Sequence, residues 1–180
     1  RAYMSAFGIT IFQDRETALA NADAVIIASP TPCHVDDLAA AIEANCHALV
    51  EKPLGHRGDH LPTLLNLAEN KNLIVAVAHN LRFRAIVKKI KSIVSNDRLG
   101  NLFWARFLSA SYLPDWRPRQ EHGTGYAADP VSGGVIFDSI HELDLAQYLL
   151  GEGEVVSATA TATRRLGIPS DDMADIVLEH

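Results

Sequence analysis

Basic residues, cysteines and long apolar runs are all scarce in this chain of 180 residues, and each shortage removes a class of function. Only 16 Lys and Arg stand against 22 Asp and Glu, a net charge of -6. There is no basic footprint for nucleic acid or an anionic membrane, so neither is an expected partner. No stretch approaches the ~18 to 20 apolar residues of a membrane helix. The longest runs, residues 24–28 and 73–78, have the length of strands. The two cysteines, Cys33 and Cys46, flank a predicted helix. At ~1.5 Å per residue they lie about 20 Å apart, far beyond the ~7 Å limit for a disulfide, which makes a cytoplasmic enzyme the expectation. Metal-ligand spacing is absent too: His141-Glu142 would need a second histidine at 145, which is Leu145, and no Cys/His cluster fits zinc. Finally, the chain opens on Arg1 rather than Met, has no signal peptide, and stops at His180 inside an apolar run that begins at Ile176. It reads as a fragment.

A composition of 48% hydrophobic and 21% charged residues is enough for a buried core, and the length fits one domain or two small ones. The first half alternates short apolar strands with amphipathic helices. Strands are predicted at residues 9–12, 22–29, 48–51 and 73–78, and the run at 22–29 is apolar enough to be covered on both faces. Helices are predicted at residues 14–20, from Val35 to Cys46, and at Leu61–Asn70. Such alternation with short connections predicts a parallel sheet. Beyond His79 the pattern changes: a helix at Ala85–Ser95 with Gly100 as its stop signal, a mixed strand at 102–112, a loop at 114–134, a helix at 139–150 and a strand of strict alternation at 155–163. Period two over that length predicts an antiparallel sheet, so the boundary between two domains falls near residue 80.

Ligands of open parallel sheets bind at the carboxyl ends of the strands, and three such ends carry polar residues: Ser29-Pro30-Thr31, Glu51-Lys52-Pro53 and His79-Asn80. Lys52 stands out because Pro53 restricts the backbone before it and directs the exit from the strand. A lysine at the edge of an apolar cleft serves proton exchange; the alternative is an ordinary surface lysine at a strand end. The second constellation is Gly133-Gly134-Val135-Ile136-Phe137-Asp138-Ser139-Ile140-His141-Glu142-Leu143-Asp144. His141 and Asp144 share a helix face, where the carboxylate could orient the imidazole, and Asp138 falls at or just before the helix N-terminus. Asp138 or Ser139 as a simple N-cap, with His141 as a core residue, is the competing reading.

Ser29-Pro30-Thr31 with His34, Glu51-Lys52-Pro53 after a βαβ unit, Arg82-Phe83 and the Gly133-to-Asp144 segment, in that order, resemble the glucose-fructose oxidoreductase and inositol dehydrogenase family, Gfo/Idh/MocA. The resemblance runs from about residue 9 to residue 176. It implies an α/β Rossmann-like parallel sheet followed by an α+β domain with an open antiparallel sheet. Residues 1–80 would be the C-terminal part of a dinucleotide-binding domain, and residues 81–180 an incomplete substrate-binding and oligomerisation domain. It also implies NAD or NADP as cofactor, a sugar, amino sugar or cyclitol as substrate, and a homodimer or homotetramer formed through the second domain. Carried over position by position, Ser29, Pro30, Thr31, His34, Glu51, Lys52, Asn80 and Arg82 match the cofactor side, and the Lys52–Pro53 bond is expected to be cis. Lys52, Asp138 and His141 match the catalytic positions, and Lys52, Trp116, Asp138, His141 and Asp144 the substrate side.

Two departures stand out. Many members place the histidine four residues after the aspartate, whereas Asp138 and His141 are three apart, so His141 is the firmer match. The chain also contains no G-x-G-x-x-G, the loop that seats a pyrophosphate on a helix N-terminus. Either a segment upstream of Arg1 carries that loop or the chain is a degenerate member, and Arg1 in place of Met favours the first. The function expected is hydride transfer between a nicotinamide and a carbinol carbon. Two alternatives stay open: a redox-neutral sugar-modifying enzyme using NAD, either an epimerase or a glycosidase, and a sugar- or cofactor-binding protein without turnover. The loop bearing Tyr112, Asp115, Trp116, Arg117 and His122 would carry the substrate specificity.

Overall fold

The computed structural model describes residues 7–116, 119 and 121–180. The chain divides into two compact units between Val77 and Ala78. In the first unit, β1 (Ala24–Ile27), β2 (His47–Val50) and β3 (Val75–Val77) form a parallel sheet in the order β1-β2-β3. Three helices accompany it: α1 (Arg15–Leu19), α2 (His34–Glu43) and α3 (Leu61–Asn70). Asp14 starts α1 by accepting the amide of Thr17 at 2.7 Å, as an N-cap aspartate does.

The helices of the crossovers stop by one device. Asn45 and Asn72 adopt φ of 61° and 56° just beyond α2 and α3. The next amides then reach back into the last turn, Cys46 N to Ala41 O and Leu73 N to Ala68 O, both at 2.9 Å. This is the Schellman closure, with asparagine supplying the left-handed residue that glycine more often provides. In the second unit α4 (Ala85–Ser95) ends the same way at Asp97, φ 53°, so the stop expected at Gly100 comes earlier, at Asp97.

Leu38, Ala41, Ile42, Cys46 and Val50 are wholly buried and form the core between α2 and the sheet, with Ile27, Ala48 and Ala68. The strand residues alternate: Ile27 and Val50 point into this core, while Ile26 is 74% and Leu49 39% exposed on the other face. The two-sided cover expected for residues 22–29 is therefore not what the described residues show; helices pack on one face only. Residues 9–12 form no strand, and Ile9 and Ile11 are about half exposed. An apolar run becomes a strand only beside a partner backbone, and these residues have none among the described residues. Both cysteines are free, Cys46 in the core and Cys33 exposed.

The second unit contains α4, α5 (Leu113–Trp116), α6 (Val135–Asp138), α7 (Ile140–Leu150), β4 (Glu154–Thr161) and β5 (Met173–Glu179). The alternating segment forms β4, paired antiparallel with β5 from Glu154↔Glu179 to Thr161↔Met173, with one irregularity between Val155 and Ser157. Residues 102–112 form no strand, contrary to expectation, and leave Phe103 96% and Trp104 77% exposed. The same cause applies, since nothing among the described residues pairs with them.

Helices α4 and α7 pack together, with Val87, Ala146 and Leu149 buried, and a half-buried ion pair ties α7 to the 3-10 turn Asn80–Phe83. The side chain of Asp144 is 4% exposed. Arg82 meets it as a fork, with Nε 3.0 Å from both carboxylate oxygens and Nη2 on Oδ1. The guanidinium also lies over the ring of Tyr148, 5.1 Å from its centre. Removing one member of such a pair leaves a charge stranded away from water. Arg82→Met should therefore cost ~3 kcal/mol, the low end of the range because the guanidinium side keeps contact with water, and adding Asp144→Leu should recover most of it. Urea denaturation of the three proteins checks this; equal losses in the single and double variants would show that the pair is not what holds the helix.

Candidate functional site

Parallel strands bring all their carboxyl ends to one edge. In the first unit the register Ile27↔Val50 sets the ends of β1 and β2 side by side, and Glu51 N extends the ladder to Ile27 O at 2.9 Å. The Ser29-Pro30-Thr31 turn and the Glu51-Lys52-Pro53 segment thus leave the sheet as neighbours. Lys52–Pro53 is cis, as the resemblance implied. Glu51 is exposed, and its Oε2 accepts the amide of Lys52 at 3.2 Å; Lys52 is half-buried and Pro53 buried.

Behind this edge the polar groups are interlocked. Ser29 Oγ donates to Asp37 Oδ2 at 2.6 Å, and Asp37 also receives Arg15 at 2.9 Å. Burial pushes the Asp37 carboxyl up, but the Ser29 hydroxyl and the Arg15 guanidinium outweigh it and hold the group below the ordinary aspartate value. His34 is 1% exposed, with Nδ1 2.8 Å from Pro53 O and Nε2 2.8 Å from Ser29 O. Of the four residues expected on the cofactor side of this turn, Pro30 is exposed, Ser29 and Thr31 are half-buried, and His34 lies beneath with both nitrogens turned to the backbone.

In the second unit His79, Arg82, His141 and Asp144 form one cluster. Asp144 was expected to orient His141. Its carboxylate instead takes the Arg82 fork, with His79 Nε2 3.5 Å from Oδ1. An aspartate three residues along a helix reaches the histidine's face, but the guanidinium matches both oxygens at once and wins. His141 is half-buried and meets His79 edge to face, ring centres 6.3 Å apart; its Nδ1 is buried without a hydrogen-bond partner. His79 is the member that reading the sequence passed over, although it stood at a strand end already singled out. Asn80 is exposed.

Asp138 closes the four-residue helix α6, and Ser139 (φ -96°, ψ 25°) breaks the chain before α7. Ser139 stands at the N-cap position of α7, one of the two places the sequence offered, without a side-chain cap hydrogen bond. The start of α6 is held from across the sequence by Asp171, whose backbone oxygen accepts Val135 N at 2.9 Å and whose Oδ2 accepts Ile136 N at 3.2 Å. Gly134 makes room for this: it has φ 96°, and a Cβ there would run into the Asp171 carboxylate, whereas Gly133 lies against the backbone oxygens of Tyr126, Ala127 and Asp129. Gly134 was the signal for the Asp171 contact, but its partner lies 37 residues on and was not legible.

Asp138, Ser139, Asp171 and Trp116 line a cavity of about 310 Å³ within the second unit. The Trp116 indole is fixed by Nε1 donating to Ser111 Oγ at 2.8 Å. His141 and Asp144 do not line that cavity. Tyr112 and Asp115 are exposed, His122 Nε2 lies 2.9 Å from Leu166 O, and Arg117 lies outside the described residues. Among the described residues no three His, Cys, Asp or Glu side chains are grouped to hold a metal ion, and no helix is long and apolar enough to cross a membrane.

Comparison with known proteins bears on both units. Residues 1–79 match the family model described as oxidoreductase family, NAD-binding Rossmann fold, and residues 87–180 match the GFO/IDH/MocA C-terminal domain. Levoglucosan dehydrogenase of Pseudarthrobacter phenanthrenivorans is 30% identical over 74% of this chain and 34% of its own length. Myo-inositol 2-dehydrogenase of Thermotoga maritima is 30% identical over 73% of this chain and 37% of its own. The crystal structure of an NAD-binding protein from Listeria innocua superposes with a TM-score of 0.71 at 27% identity, covering 99% of this chain and 52% of that one. The chain spans between about a third and a half of the length of the curated relatives it matches. With a parallel sheet that delivers Glu51-Lys52-Pro53 to its carboxyl edge and matches to both domains of one family, the chain belongs to the Gfo/Idh/MocA oxidoreductases.

Proposed function

We propose that the chain forms part of an NAD(P)-dependent oxidoreductase that moves hydride between the nicotinamide and a carbinol carbon of a sugar, amino sugar or cyclitol. The observation that carries this reading is the half-buried Lys52 at the carboxyl edge of a sheet whose family is described as NAD-binding. The donor set there suits the ribose and nicotinamide portion of such a cofactor: Glu51 offers an exposed carboxylate, and Thr31 a hydroxyl. A pyrophosphate has no Gly-rich loop to sit on within these 180 residues. When bound, the nicotinamide supplies the two-electron chemistry, which is the cofactor's own.

The chain's residues then divide the remaining work. Lys52 donates from its ammonium to the reacting hydroxyl and stabilises the charge that develops on that oxygen. His141 exchanges the hydroxyl proton through its imidazole. Asp138 accepts hydrogen bonds from the other hydroxyls, and Trp116 packs against the apolar face of the sugar ring. Asp144, already satisfied by Arg82, orients His79 rather than the ligand. Arg82 and Asn80 border the cofactor side. The second unit also mediates self-association, since β4 is exposed along its whole length, and the two free cysteines suit the reducing cytoplasm.

In the complete protein, incubation with polyols and oxidised cofactor should yield reduced nicotinamide. Lys52→Met should lower kcat by ~10²- to 10⁴-fold while cofactor affinity, measured by fluorescence, stays within about threefold. His141→Asn should lower kcat similarly and remove an ionisation from the pH profile. A Lys52→Met enzyme keeping more than about a tenth of its rate would make Lys52 an ordinary strand-end lysine. For the self-association, light scattering at micromolar concentration should give a dimer or tetramer; a monomer would refute it.

A further inference from the structure

Two loops that leave the sheet at its carboxyl edge meet on one side chain. His34, the first residue of α2, is 1% exposed, and each of its ring nitrogens lies 2.8 Å from a backbone oxygen, Nδ1 from Pro53 and Nε2 from Ser29. A carbonyl only accepts, so both contacts are hydrogen bonds only when both nitrogens carry hydrogen. In a neutral ring, one nitrogen would turn its lone pair toward an oxygen lone pair at that distance. A buried polar contact of that kind is costly, whereas two charge-assisted bonds are short and strong. The counter-charge is in place. Asp37, one turn along α2, is fixed by Ser29 Oγ at 2.6 Å and by Arg15 at 2.9 Å. Burial works against the ionised Asp37; Ser29 and Arg15 work for it, and the carboxyl ends below its ordinary value.

We propose that His34, as an imidazolium, is the positioning residue for Lys52. The proposal rests on the reading that Lys52 binds the reacting hydroxyl. Lys52 stands between two anchors: Glu51 N bonds Ile27 O at 2.9 Å on one side, and the Pro53 carbonyl is held by His34 on the other. Without the second anchor, the segment beyond β2 loses its tie to α2, and the ammonium is placed less closely. A displacement on the order of 1 Å at a reacting group costs about 10²-fold in rate. His34 does this work from beneath the turn, with neither nitrogen left to meet a ligand.

The test uses the complete protein. In nitrogen NMR of the wild type labelled at histidine, both ring nitrogens of His34 should carry hydrogen; a bare nitrogen would overturn the clamp. In kinetics, His34→Gln should lower kcat by about 10- to 100-fold in the wild-type background, yet by less than about twofold in a Lys52→Met background, where no ammonium remains to be misplaced. Equal loss in both backgrounds, or none in either, sinks the role of His34. A Lys52→Met protein that keeps more than about a tenth of its rate sinks the reading of Lys52 itself.

Discussion

A polar group taken out of water must be met by a partner, and one such group organises each half of this protein. In the first unit it is His34, whose ring spans the exits of β1 and β2. In the second it is Asp144, whose carboxylate gathers Arg82 and His79 onto one face of α7. Neither group can shift without stranding a donor or an acceptor, so each fixes the loops around it more firmly than apolar packing would. Apolar packing builds the layers, as Leu38, Ile42 and Val50 do; the polar partners decide where the chain turns at the end of a layer.

This division explains what was legible in the residues. The helices at Leu61–Asn70 and Ala85–Ser95 were placed to the residue because their apolar periodicity is local. The alternation around Ser157 and Thr159 likewise announced an antiparallel strand. The runs at 9–12 and 102–112 looked the same but formed no strand, because strand formation depends on a neighbour that composition does not reveal. The residues that close α2, α3 and α4 in the left-handed turn are Asn45, Asn72 and Asp97, rather than a glycine such as Gly100.

The positions of the candidate residues along the fold were legible, and their pairings less so. Glu51-Lys52-Pro53 could be placed at a strand exit because strand and proline are both local signals. The partners of Asp144 could not, since Arg82 lies 62 residues away and the nearer His141 was the obvious choice. The break at Ser139 leaves Asp138 on the cavity and His141 beside His79, a separation that their spacing of three residues did not announce.

Hydride transfer stands or falls on the fate of one atom. A polyol or cyclitol that turns over should be prepared with deuterium at the reacting carbinol carbon and incubated with the complete protein and oxidised cofactor, and the reduced cofactor weighed by mass spectrometry. Each reduced nicotinamide should carry the deuterium from the substrate carbon. Conversion of the substrate with cofactor that gains no label would contradict it.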